Sequence, residues 1–151
     1  MSTTGIIIFL LNLASTLIMV GIIWFVQIVH YPLFGRVGAD NFVDYQNRHQ
    51  RWTSWVAGPP MLVEAFTSVL LVWHPPIPNT ALLLMGVGLL FVIWMSTLFL
   101  QIPAHGDLER GFVAKSHRGL VLTNWIRTIA WTLRGALMFW IAFTAFANLQ
   151  N

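Results

Sequence analysis

The chain has 151 residues, 57% of them hydrophobic, and its eight basic and five acidic side chains make up only 9% of the total. A soluble domain usually carries about 25% charged residues, so a free-standing soluble globule is excluded. The absence of cysteine removes disulfide frameworks, thiolate metal sites, iron–sulfur clusters and cysteine nucleophiles. The formal net charge of +3 sits beside apolar stretches and forms no dense patch, so no nucleic-acid partner is expected.

The first predicted element is a membrane span over residues 5–29, almost uncharged and longer than the roughly 20 residues that cross the hydrocarbon layer. It lacks the basic start and small-residue cleavage site of a removable signal, which predicts a retained span. The next segment, Asp40 to Trp52, places Phe42, Tyr45, His49 and Trp52 on one helical face and Asp40, Asp44, Asn47 and Arg51 on the other. That pattern predicts a short amphipathic helix in the membrane interface, with Asp44 and Arg48 as an i,i+4 pair. A second span covers 55–73, broken near its start by Gly58-Pro59-Pro60 and carrying Glu64. The proline-stiffened turn 74–79 leads into a third span, 80–102. Pro103 is expected to stop that helix, and Ser116 to start the fourth, whose span is 120–147 and holds Arg127 and Arg134. The fold class is therefore all-α, a single four-helix transmembrane bundle in a lipid bilayer with an interfacial helix between spans one and two.

Arg36, Arg48, Arg51, Arg110, Lys115 and Arg118 all fall in the two long connections on one side. The positive-inside rule places those connections in the cytoplasm and both termini outside, with the bacterial inner membrane as the expected location.

Within lipid, the polar residues carry the positional information. Asn12, Thr16, Gln27 and His30 share one face of the first helix, and Thr53, Ala57, Glu64 and Ser68 share one of the second. Trp94, Thr97 and Gln101 align on the third. His117, Asn124, Arg127, Trp131 and Arg134 form a stripe about 100° wide on the fourth. A charge at mid-span costs about 2.5–3.5 kcal/mol on the insertion scale and must be paired or neutralised. An ion pair from Glu64 to Arg127 or Arg134 is therefore the leading contact prediction. It either pins the bundle or leaves the second arginine to hold an anionic ligand.

His30, His49, His105 and His117 concentrate at the expected cytoplasmic end. With Asp44, Asp107 and Glu64 they offer nitrogen and oxygen ligands for a transition metal ion, or axial ligands for a haem, although no pair has a diagnostic spacing. His74 stands alone in the opposite turn. Trp52, Trp55 and Trp73 suit an aromatic belt, while Trp94, Trp125 and Trp131 lie deeper. Gly86-Val87-Gly88 suits close helix contact and is too short and apolar for a phosphate loop.

The strings His30-Tyr31-Pro32-Leu33-Phe34, Gly58-Pro59-Pro60-Met61-Leu62-Val63-Glu64 and Asn124-Trp125-Ile126-Arg127-Thr128, with Trp131 and Arg134, resemble those of a group of small bacterial four-span membrane proteins of unassigned function. That group is in turn similar to the anthrone-oxygenase-like membrane family. The resemblance brings no established catalytic residue to any position of this chain.

Two functional classes follow. The first is a redox or oxygenase-type enzyme, with a metal or haem held by some of His30, His49, His105 and His117. Glu64 and Arg127 would be its catalytic candidates, and Asn124, Trp131 and Arg134 its cofactor-binding candidates. The second is a non-enzymatic binding or transport protein whose Arg127 and Arg134 hold a small apolar, anionic or lipid ligand. A structural subunit of a larger complex is the third option, and a homo-oligomer is compatible with all of these.

Overall fold

The structure, a computed structural model, describes residues 3–147. Four helices, each long and apolar enough to cross a membrane, make up nearly all of it: α1 (Thr3–Arg36), α2 (Ala39–Trp73), α3 (Thr80–Leu108) and α4 (Ala114–Ala147). No strand occurs among the described residues. The chain is thus a small integral membrane protein built as an all-α four-helix bundle. At 1.5 Å per residue α1, α2 and α4 are each about 50 Å long, well beyond the roughly 30 Å of a hydrocarbon core. The excess lies at the end carrying His30, His49, His105 and His117, called here the histidine end. The opposite end is closed by the 74–79 turn, where Asn79 caps α3 by accepting from the Ala81 amide at 3.2 Å.

The outer surface is apolar, with Leu10, Phe25, Phe66, Phe91 and Phe139 among many exposed large side chains. Polar residues instead turn inward: Asn12, Thr16, Gln27, Glu64, Gln101, Asn124, Arg127 and Arg134 are all buried. This inversion is what a bilayer solvent selects, because tails solvate leucine as well as the core does and polar groups must find each other. Apolar clusters hold the two ends and the middle. Phe9, Leu71 and Met138 pack at the turn end, Met19, Ile93 and Trp131 in the middle, and Tyr31, Phe34 and Phe42 at the histidine end.

Three local expectations are corrected. The amphipathic segment is not a separate interfacial helix but the first turns of α2, which runs unbroken through Pro59 and Pro60. The two prolines withhold amides only from the Trp55 and Val56 carbonyls. An irregular break in lipid would strand more backbone groups than that. The inward face of this segment packs on protein, with Phe42, Gln46 and His49 buried, while Trp52 faces out. Asp44 and Arg48 do pair, at 2.9 Å with both side chains 73% exposed, a contact of little energetic weight.

Pro103, likewise, does not end α3. A π-turn over Thr97–Gln101 precedes it, closed by the Ile102 amide on the Thr97 carbonyl. Helix α1 repeats the device: a π-turn over Val26–His30, closed by the Tyr31 amide on the Val26 carbonyl, precedes Pro32. In both helices the widened turn takes up the missing proline amide and lets the helix continue. Such single-turn π-bulges concentrate at functional sites. Here they set Gln27 and Gln101 into the bundle, facing α4. The α3–α4 return is completed by Gly111, whose φ of +141° only glycine adopts without strain.

Candidate functional site

Two polar layers cross the bundle. The deeper one is centred on Glu64, fully buried, and Arg134, 1% exposed, joined at 2.7 Å from Nε to Oε1. Thr16 donates to the same carboxylate oxygen at 2.7 Å, and the Trp131 indole donates to Oε2 at 3.0 Å. Arg134 also donates to Asn12 Oδ1 at 3.1 Å, Ser68 Oγ at 2.6 Å and the Gly86 carbonyl. Asn12 in turn donates to the Glu64 carbonyl, Thr67 and Ser68. The expected ion pair is present, with Arg134 as the partner. Every polar atom of both side chains is engaged, which fits a pin holding four helices in register.

Gly86 belongs to this layer. A Cβ there would lie 3.0 Å from both Arg134 Nη1 and Met138 Cε, whereas a Cβ at Gly88 meets nothing within 4 Å. Of the two glycines expected to permit close helix contact, only Gly86 does so, by letting the guanidinium reach its carbonyl.

The shallower layer is centred on Arg127, which is 8% exposed. Among the described residues the only ion pairs are Asp44–Arg48 and Glu64–Arg134, so Arg127 has no carboxylate partner. Its guanidinium donates to Asn124 Oδ1 through Nε at 2.9 Å and again through Nη2. Longer contacts reach Tyr31 Oη at 3.3 Å, Gln101 Oε1 at 3.4 Å and Thr97 Oγ1 at 3.4 Å. Two of these acceptors are oriented from behind. Asn124 donates to Gln27 at 2.8 Å and Gln101 donates to Thr123 at 2.8 Å, so both amide oxygens are turned toward Arg127. The two glutamines come from the two π-turns.

Beside Arg127 lies a cavity of about 250 Å³. Met19, Ile23, Val26, Met61 and one face of the Trp131 side chain give it apolar walls, while Arg127, Tyr31, Gln101, His49 and His105 give it a polar end. The Gln46 amide contacts His105 Nδ1 at 2.9 Å, and His105 Nε2 lies 2.9 Å from Tyr31 Oη. The Tyr31 hydroxyl thus lies between His105 and Arg127. His49 uses Nδ1, 2.6 Å from His30 Nε2 and 3.1 Å from Thr53 Oγ1. Its Nε2 has no protein partner among the described residues.

Of the four histidines proposed as metal ligands, three lie together and His117 stands apart. His30, His49 and His105 neighbour one another, with 4.5 Å between the first two rings and 5.5 Å between the last two. His117 instead contacts the Tyr31 carbonyl through Nε2 at 2.8 Å and stacks on Phe34. Asp107 accepts from Ser116, Asp44 pairs with Arg48, and Glu64 lies in the deeper layer. Among the described residues no group of three or more such side chains is arranged to hold a metal ion. The deep Trp125 sits edge-on to Trp24 at the surface, and Trp94 keeps a buried indole nitrogen without a partner.

Tyr31, Gln46 and Gly58 were not singled out as site residues from sequence. The one available signal was positional: Tyr31 immediately precedes Pro32, as Ile102 precedes Pro103. No protein-family model, curated protein or solved structure matches the chain, so its likeness to small four-span membrane proteins rests on its four long apolar helices.

Proposed function

We propose that this membrane protein binds a small amphipathic anion, with the charged oxygen on Arg127 and the apolar body against Met19, Ile23, Met61 and Trp131. One observation carries the reading: a buried guanidinium with only neutral partners opens onto a cavity. A buried charge without a counter-charge is costly, and a carboxylate in the cavity would supply one, with Tyr31 and His49 as further contacts. Arg134 has no part in this, because Glu64 already takes its charge. Asn124 positions Arg127, and Trp131 supplies a wall. Decanoate brominated at its terminal carbon joins a carboxylate to an apolar chain and quenches indole fluorescence on contact. Saturable quenching that is lost in Arg127→Gln supports the proposal.

A second reading, a redox or oxygenase-type enzyme acting on the same ligand, draws on the titratable ring of His49, His105 and Tyr31. It predicts a stoichiometric transition metal or a cofactor absorption band in protein purified from cells supplied with both. A clean negative leaves the binding reading alone.

The orientation proposed for either reading puts the histidine end in the cytoplasm, following its six loop and helix-end cations. Cysteines introduced at Thr3 and at Lys115 should then label from opposite sides, Thr3 from outside. Labelling of Lys115→Cys from outside would reverse it.

A further inference from the structure

The walls of the Arg127 cavity differ in how they are closed. At the histidine end Gln50 donates to the His105 carbonyl at 3.4 Å, bridging α2 and α3, and beneath the loops Phe34, Phe42 and Leu108 are wholly buried. Trp131 and Met61 separate the cavity from the Glu64–Arg134 layer. Of the residues lining it only Ser54 on α2 and Ile102 on α3 are exposed. Gly58 lies one turn from Ser54 on the same face, and a Cβ there meets nothing within 4 Å. These exposed positions and the open space at Gly58 mark the gap between α2 and α3 as the candidate mouth.

What surrounds the mouth identifies its solvent. Leu62 continues the Ser54–Gly58 face of α2, and Leu98 and Phe99 lie on the turn of α3 before Ile102. All three are exposed and apolar. Arg51, also exposed, is three residues above Ser54 and seven above Gly58, a rise of about 5 to 10 Å. The opening is therefore bordered by apolar side chains, with a cation toward the histidine end, the order of groups met on passing from lipid tails to headgroups.

Resting on the binding reading above, we propose that the cavity is loaded sideways from the bilayer through the Ser54–Gly58/Ile102 gap. Its ligand class is then a single-chain or single-ring acid dissolved in the membrane, and Gly58 is the residue that sets access. Such a molecule already lies in the leaflet with its carboxylate near Arg51. It needs only to slide its head inward to Arg127, without crossing water or the Gln50–His105 bridge.

The test uses the full chain in lipid nanodiscs and follows the quenching of Trp131 by 10-bromodecanoate after rapid mixing. Gly58→Leu places a side chain in the open space of the mouth and should slow association at least tenfold, with Gly58→Ala intermediate. Unchanged helical content and an unchanged melting temperature would show that the variants fold. An association rate in Gly58→Leu equal to the parent's overturns lateral entry while leaving the binding site intact. Absence of Arg127-dependent quenching in the parent protein would instead overturn the binding reading itself. Equal rates for 10-bromodecanoate and the poorly partitioning 4-bromobutanoate, at matched total concentration, would also overturn lateral entry.

Discussion

Arg134→Ala is expected to destabilise the bundle by about 3–5 kcal/mol, because it leaves the Glu64 carboxylate at zero exposure without its counter-charge. Thr16 and Trp131 still donate to that carboxylate, but two neutral donors do not replace a guanidinium. The loss extends to Asn12, Ser68 and the Gly86 carbonyl, which all accept from Arg134. Unfolding in micelles with increasing denaturing detergent, followed by helical signal, reads the effect directly. The double variant Glu64→Leu, Arg134→Met should recover part of the loss, since it removes both charges and fills the space with apolar groups. A midpoint for Arg134→Ala equal to the parent's would mean that the ion pair does not hold the bundle's middle together.

Much of the architecture was legible because a membrane protein writes its interior in polar residues. Asn12, Thr16, Glu64, Ser68, Asn124, Arg127 and Arg134 were each placed on an inward stripe by 3.6-residue spacing, and all are buried. The partner of Glu64 was narrowed to two arginines and no further, because seven residues separate Arg127 from Arg134 and spacing alone fixes a face rather than a depth. Proline was the least reliable guide. Pro59, Pro60 and Pro103 read as breaks, yet all three lie within continuous helices, Pro103 after a π-turn. A residue scale derived from water misjudges them, since in lipid continuing the helix costs less than exposing backbone. The histidines illustrate the opposite limit. Their concentration at one end was correct, but His117 turns to a backbone carbonyl and leaves the others. The signal for Tyr31 was too local to find, because its role depends on His105 and Arg127, which are 74 and 96 residues away in sequence.

Arg127→Gln should have the largest functional effect. Glutamine keeps a donor toward Asn124 and most of the stem, so the bundle should hold its fold, but the cavity loses its only full positive charge. Removing one member of a buried, hydrogen-bonded charge pair weakens binding by about 2 kcal/mol or more, roughly 30-fold. Arg134, locked against Glu64 in the deeper layer, cannot substitute. The most direct measurement is a fluorescence titration of the purified protein with 10-bromodecanoate, with Trp131→Phe reporting how much of the quenching arises at the cavity wall. Saturable, Trp131-dependent quenching in the parent, shifted to at least 30-fold higher probe concentration in Arg127→Gln, is the predicted result. Titration curves that superimpose for the parent and Arg127→Gln would contradict an anion site at Arg127.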